Sequence, residues 1–582
     1  MDDEIVVVDS GAGEGSADEA GADEGQGEEV PPLEAAQSPQ RYFMGETLHF
    51  DGGEGCNNAK LNVVTKTLAA ELDEAGWSGE RWVDEDSWPE DFADSELLID
   101  FGLDELLSDA ATLAVYAGHG NAGSWQWGTP SPSGTCSLSL NTSMRMGSMA
   151  GDQATVLMSL TSCTGRADTV WAGLGQTSRV RQILAYHNSP IITRNQARDF
   201  LRASQSLSDR AAWLTVMANR VGVGHNSPSI FTLGLTPDDA LAYHASARLH
   251  GLVGLSAPPE SSEGFALSYL DYGCGPCGCD DQAPVWLSPK AASAKVGEQA
   301  GTLPNTFARL SIAAPARTPQ ALAERAGAVA ALLGLSVDAT QLLTWAEQAV
   351  ARGEFHGLGL TSEEGEAAAL FYAAEDDALL AVVERAIASA PEQDALPDSQ
   401  ARQQAAERFA ALLGELESRG LSATLDSQEP EVGALRTIAG AVGVAGEISF
   451  EHTQGWRFGA HASRGGIPIL DAGVSALIGR DGRPEVIQLF DVETTVAEHA
   501  SVFVDGPDLS ERWLDAVNDA AESEPDWVFI DSVRWAYLRD ASEGAVTVEP
   551  RLIVSQVLGY DGPQGVVPSR QLVVALSPQG TP

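Results

Sequence analysis

Two apolar runs stand out from polar surroundings: Ala111-Thr-Leu-Ala-Val-Tyr-Ala-Gly-His119-Gly120 and Ala154-Thr-Val-Leu-Met-Ser-Leu-Thr-Ser-Cys163-Thr-Gly165. Each is short, nearly continuous and stopped by small residues, the pattern of a strand buried on both faces of a parallel sheet. Gln182-Ile-Leu-Ala-Tyr186 reads as another buried strand. Thr47–Phe50, closed by the glycine-rich turn Asp51–Gly55, reads as a first strand; Arg81–Val83 predicts a further strand, and Leu97–Leu107 a short strand or helix. Between these runs the period changes. Leu61, Val64, Leu68 and Leu72 recur at helical spacing across Asn58–Ala75, with Gly76 as the cap. Phe200, Leu201, Leu207, Trp213 and Met217 mark a longer helix over Gln196–Val221. Strands alternating with helices predict a three-layer α/β domain over residues 41–256, its parallel sheet covered on both faces.

The pattern changes at Ala257-Pro-Pro-Glu-Ser-Ser-Glu263. Residues 257–300 read as a linker that carries Cys274-Gly-Pro-Cys277-Gly-Cys279. Residues 301–582 predict α+β structure in one or two modules, helix followed by curled antiparallel sheet. A helix begins at Thr318 with Pro319 in its first turn and runs to Gly334; another runs from Asp398 or Ser399 to Gly420. Phe450–Val492 alternates like antiparallel strands, with Arg480-Asp-Gly482 as a hairpin turn, and Arg551–Val557 reads as a strand. Residues 1–40 are the opposite case. They are dominated by Asp, Glu, Gly, Ala and Ser, with Arg41 the first basic residue, and read as a disordered acidic tail.

Charge narrows the partners. The formal net charge of the 582 residues is -49, and the basic side is almost all arginine, the lysines being Lys60, Lys66, Lys290 and Lys295. Such a surface repels nucleic acid and anionic membranes. No run of about 18 apolar residues occurs, so no transmembrane segment is expected. Six cysteines are too few for a disulfide-built scaffold of this length. Met1-Asp-Asp-Glu is acidic where a secretion signal would be basic.

The chemistry lies at the strand ends. Catalytic groups of open α/β sheets sit just past the carboxyl ends of their strands, so neighbouring parallel strands would set His119 beside Cys163. An imidazole next to a thiol makes a nucleophilic thiolate, with His119 as base and as donor to the leaving amine. The backbone N–H groups of Gly120 and Cys163 are candidate oxyanion donors. His187 and His225 are rival bases without the His-Gly context.

A strand ending His-Gly, followed 44 residues later by one ending in Leu160-Thr-Ser-Cys163-Thr-Gly165, resembles the caspase-like cysteine peptidases (caspases, legumains, gingipains), and the bacterial branch in particular. The resemblance covers residues 42–256. It implies peptide-bond hydrolysis by a Cys/His dyad, a protein or peptide substrate and no cofactor. Asn57 or Asn58 stands where legumain-like enzymes place an asparagine that orients the imidazole. Asp152, Arg166 and Asp168 adjoin the loops that would read the substrate, and nothing selects among them. The stretch Gly455–Ile478, with Asp481-Gly482 after it, is similar to the PepSY or propeptide modules of secreted bacterial peptidases, with a fainter second copy from Trp535 to Val557. That likeness implies a tail that restrains the catalytic rim or assists folding, and a secreted, periplasmic or cell-surface location, with cytoplasm as the alternative. Cys274, Cys277 and Cys279 could hold structural zinc with a fourth ligand, form a disulfide, or stay reduced. The alternative function is an inactive pseudo-peptidase serving as an extracellular binding protein.

Overall fold

The computed structural model describes residues 40–51, 56, 58–60, 63–97, 102–147, 154–167, 170, 180–218, 226–250, 263–273, 285–300, 306–313, 318–374, 377–387, 397–421, 430–441, 447–464, 467–490, 493–501, 506–520, 525–537, 546–562 and 565–578. The acidic tail expected over 1–40 falls outside them except for Gln40.

The N-terminal half is built on strands β1 (Arg41–Glu46), β2 (Ser78–Val83), β3 (Leu113–Ala117), β7 (Val156–Leu160) and β8 (Gln182–Tyr186). They pair in parallel in the order β2-β1-β3-β7-β8. Strands β9 (Pro228–Gly234) and β10 (Gly264–Asp271) extend the sheet antiparallel. Between β3 and β7 lies a small ribbon of β4 (His119–Asn121), β5 (Ser124–Gln126) and β6 (Ser137–Ser139).

Every residue of β3, β7 and β8 is buried, as their continuous apolar sequences require. Leu113, Val115, Val156 and Met158 face a core shared with Leu68, Phe200 and Trp213. These come from helices α1 (Thr65–Glu74), α2 (Gln196–Ala203) and α3 (Asp209–Val216). Ala114, Tyr116 and Leu157 face an aromatic core with Phe92, Trp125 and Trp127, so the second face is covered by the β4–β6 ribbon and the irregular chain around Phe92. The sheet is thus sandwiched between unlike layers, one helical and one largely aromatic.

Several elements differ from expectation for identifiable reasons. The first strand is Arg41–Glu46, because Thr47 N–H already turns to donate to the Ala117 carbonyl; His49–Asp51 forms a short arm with Asn58–Lys60. Leu97–Leu107 forms turns rather than a strand or helix over its described residues. The helix expected over Gln196–Val221 is two, because Ser208 caps a new helix by accepting from Ala211 N–H. Helix α1 starts seven residues later than its apolar period, at Thr65. Its cap is remote: the buried Glu46 carboxylate at the end of β1 accepts from Val64 N–H (2.7 Å), Thr65 N–H (3.2 Å) and Thr65 Oγ1 (2.6 Å), and pairs with Arg81. Replacing Glu46 leaves those donors without that acceptor and removes the carboxylate partner of Arg81, whose Nε still donates to Thr65 Oγ1 at 2.7 Å. Glu46→Ala should therefore cost about 3–5 kcal/mol, read as a lower denaturant midpoint, whereas Glu74→Ala on the same helix should change it by less than about 0.5 kcal/mol.

The C-terminal half is α+β. Helices α6 (Pro319–Leu332), α7 (Ala339–Arg352) and α8 (Asp398–Ser418) share a core with strands β11 (His356–Thr361), β12 (Ala367–Ala373), β13 (Ala378–Val383), β14 (Glu431–Ala441), β15 (Glu447–Arg464), β16 (Ile467–Gly479) and β17 (Pro484–Phe490). A second core joins α5 (Pro289–Ala300) and α9 (Gly506–Ala520) to β18 (Trp527–Tyr537), β19 (Pro550–Gly562) and β20 (Gly565–Leu576). The helices starting at Pro319 and Asp398, the antiparallel strands over 450–492 and the 480–482 turn fall where the sequence predicts them; α5, α7 and α9 were not expected, α5 lying in the segment read as linker and α7 having only an Asp338 cap and Gly353 in the left-handed region as signals.

The two halves share one sheet. Strand β10 lies inside the segment read as linker, and it pairs along its whole length with β14, from Gly264↔Ala441 to Asp271↔Ala434. Among the described residues the result is a mixed sheet of 17 strands. Side chains lock the junction: Glu384, just past β13, accepts from Ser208 N–H at 2.9 Å. His244, on helix α4 (Pro237–Ser246), bridges Thr232 Oγ1 (2.7 Å) and Ser268 Oγ (2.8 Å), and Ser268 Oγ bonds Thr437 Oγ1 of β14 at 2.7 Å.

Candidate active site

The rim at the carboxyl ends of β3 and β7 is built by their register. Ala117 pairs with Leu160, so His119 emerges two residues past one strand and Cys163 three residues past its parallel neighbour. Glycines let the two turns meet. A Cβ on Gly120 would come within 2.9 Å of Thr161 Oγ1, and one on Gly165 within 1.9 Å of Ser229 Oγ. Cys163 itself has φ 64°, an uncommon conformation for a non-glycine residue. Three backbone bonds hold that turn: Cys163 N–H to Asn188 O (3.2 Å), Gly165 N–H to Tyr186 O (2.9 Å) and Arg166 N–H to Cys163 O (3.1 Å).

Both candidate residues are buried, His119 at 5% and Cys163 at 1% exposure. Cys163 is disulfide-bonded, its partner lying outside the described residues. In that oxidised state its sulfur carries no thiolate and cannot attack a carbonyl. The Cys163 N–H read as an oxyanion donor is taken up by Asn188 O, which leaves Gly120 as the remaining backbone candidate.

His187 comes closer to the cysteine turn than its sequence context suggested. Its Nδ1 accepts from Ala167 N–H at 3.1 Å, which fixes the other ring nitrogen as the protonated one in the neutral ring. The ring stacks on Tyr269, centroids 4.7 Å apart. The imidazole thus supports the segment after Cys163. Arg166 is half-buried in the same turn. Asn58 lies in the short arm paired with Asp51. Asn57, Asp152, Asp168, His225, Cys274, Cys277 and Cys279 lie outside the described residues. Among the described residues no group of three or more His, Cys, Asp or Glu side chains is placed to hold a metal ion, and no helix is long and apolar enough to cross a membrane.

Two features were not legible in the sequence. One is the disulfide Cys56–Cys136, with Cα atoms 5.6 Å apart across 80 residues, which ties the chain before α1 to the ribbon that carries His119. The other is the position of the C-terminal strands. Leu470, Ala536, Ile553 and Ala575 form an apolar cluster against Ile191, on the loop that follows β8 at the same rim. Strand β20 lies against His119–Asn121 and against Asn58–Lys60.

No protein-family model matches the chain, and no curated protein matches it. A solved structure of an uncharacterized protein from Eubacterium rectale ATCC 33656 aligns over 47% of this chain and 84% of its own, at 8% identity and a TM-score of 0.28.

Proposed function

We propose that the chain is a caspase-like cysteine peptidase held latent by oxidation and by its own C-terminal sheet. The observation that carries this reading is the register of β3 and β7, which brings the His119 and Cys163 turns to one sheet edge with Gly120 against Thr161. Reduction by a dithiol supplies two electrons and two protons; the Cys163 disulfide becomes two thiols, one of them on Cys163, and the dithiol becomes a disulfide. His119 then takes the thiol proton, the sulfur attacks the scissile carbonyl carbon, and the C–N bond breaks as His119 returns the proton to the amine. Water hydrolyses the resulting thioester, releasing the acid and restoring the thiol. The strands at Ile191 and His119–Asn121 cover this edge, so substrate entry requires them to move. The Cys56–Cys136 disulfide supports an exported protein, since such bonds persist in oxidising compartments.

The test is an electrophilic peptide probe applied to the reduced full chain and read by peptide mapping. Label on the Cys163 peptide, absent from Cys163→Ala and strongly reduced in His119→Ala, is the expected result. A wild-type chain that takes no label after reduction rejects the reading. The burial and oxidation of Cys163 support a second one, an extracellular pseudo-peptidase in which this disulfide is structural. It expects Cys163→Ala to lower stability and His119→Ala to change nothing.

A further inference from the structure

We infer that the buried hydrogen-bonded chain Trp125–Ser159–Thr161–Thr164 sets the position of the His119 strand relative to the Cys163 turn, making these four side chains positioning residues for the thiol chemistry. The inference rests on the peptidase reading and adds to it how the dyad is held in register.

Trp125 pairs directly with Gly120 across the β4–β5 ribbon, so its backbone is fixed next to His119. Its indole Nε1–H donates to Ser159 Oγ on β7 at 3.0 Å. Ser159 Oγ bonds Thr161 Oγ1 at 2.9 Å, and Thr161 Oγ1 bonds Thr164 Oγ1, the residue after Cys163. The chain therefore begins beside His119 and ends beside Cys163. All four residues are at most 1% exposed. Thr161 also touches the other turn sideways, since any Cβ on Gly120 would press on its Oγ1 and Cβ.

Packing alone does not call for these groups. Valine has the shape of threonine and packs as well in a dry interior, where a hydroxyl left without a partner is costly. The indole can only donate, so Ser159 Oγ accepts from it, and the hydroxyls of Thr161 and Thr164 complete the chain with either oxygen of each pair as donor. Apolar contacts tolerate small slides, whereas a hydrogen-bonded chain in a dry interior fixes separations. A dyad depends on such separations, and a shift of about 1 Å can cost about a hundredfold in rate.

The experiment compares Thr161→Val, Thr161→Ser and wild type as reduced full-length chains. Two quantities are read: the rate of Cys163 labelling by the peptide probe, and the pH profile of Cys163 alkylation by iodoacetamide, both resolved by peptide mapping. T161V should label about ten- to a hundredfold more slowly, with its alkylation midpoint moved to higher pH, while T161S stays near wild type; T161V also loses some melting temperature, because Thr164 Oγ1 loses its partner, so the midpoint is the deciding readout. Should T161V not fold, Ser159→Ala interrupts the same chain and reads the same quantities. A wild type that labels while the variants keep its rate and midpoint overturns the inference and leaves the peptidase reading standing. Loss of melting temperature without a shifted midpoint overturns it too, as a purely structural role would give. A wild type that never labels removes both.

Discussion

Peptidase turnover by the full-length chain should be near background under oxidising conditions and should rise by about a thousandfold or more once a dithiol is present. Cys163→Ala should stay at background in both conditions. The magnitude follows from the chemistry, because a sulfur bonded to another sulfur offers no lone-pair nucleophile comparable to a thiolate, and without the nucleophile a hydrolase retains only binding and electrostatic help. Reduction also opens Cys56–Cys136, so the control is Cys56→Ser with Cys136→Ser: its turnover should still require the dithiol. If that double variant is active without reductant, the switch lies in the Cys56 bond and not at Cys163. Assay with a fluorogenic peptide library measures both quantities, and a reduced wild type with no turnover above Cys163→Ala contradicts the prediction.

Stability should fall as pH rises from about 5 to about 8, the reverse of the behaviour of most proteins rich in carboxylates. Burial pushes Asp209 up to about 8, and Asp91 and Asp104 up to about 7. Each has an oxygen without a hydrogen-bond donor: Asp209 Oδ2, Asp91 Oδ1 and Asp104 Oδ1. For Asp209, the Leu249 N–H (2.7 Å) offsets only part of the desolvation, and Glu384 adds to it. For Asp91 the Trp88 N–H does the same, with Glu90 opposing. Asp94 adds to the effect of burial on Asp104. In all three the folded form holds its proton more tightly than the unfolded chain. The stability this contributes is fully present below about 4 and is lost as pH climbs through 7 to 8. His244 acts in the opposite sense: burial, with Arg210 nearby, holds it well below the usual imidazole range, so it costs stability as pH falls below about 6.5. Burial also holds His250, His356 and His452 below the usual imidazole range, and it pushes Glu485 up to about 7 alongside the three aspartates; the carboxyls move furthest from their ordinary range, so the net trend is that of the acids. Asp209→Asn should raise the melting temperature at pH 8 by several degrees, since an amide oxygen can still accept from Leu249, and should change little at pH 5. A melting temperature that climbs between pH 5 and pH 8 in the wild type contradicts this account.

The apolar runs at 111–120 and 154–165 determined by themselves that two doubly buried strands exist and that His119 and Cys163 follow just past their ends. Burial on both faces leaves no polar alternation to mislead, and glycine punctuation marks the ends. The helix starts at Pro319 and Asp398 were equally readable, because Thr318 and the proline at 319 are local signals and act within one turn. Helix α1 was misplaced for the converse reason. Its cap is Glu46, 18 residues upstream, and no local rule finds a remote carboxylate. Val64 continues the helical period without being in the helix, since its surroundings rather than its spacing determine the backbone there.

Only the tertiary structure decided what surrounds His119 and Cys163. The neighbour relation of β3 and β7, the Cys56–Cys136 bond and the Ile191 cluster all join residues far apart in the chain. Such contacts form because closing a long loop is repaid by burying apolar surface or by a covalent bond, and neither gain is written in the spacing of nearby residues. The hydroxyls of Ser159, Thr161 and Thr164, polar positions in and just past an otherwise apolar strand, were the one visible trace. They are there because Trp125, more than thirty residues earlier, brings a donor to them.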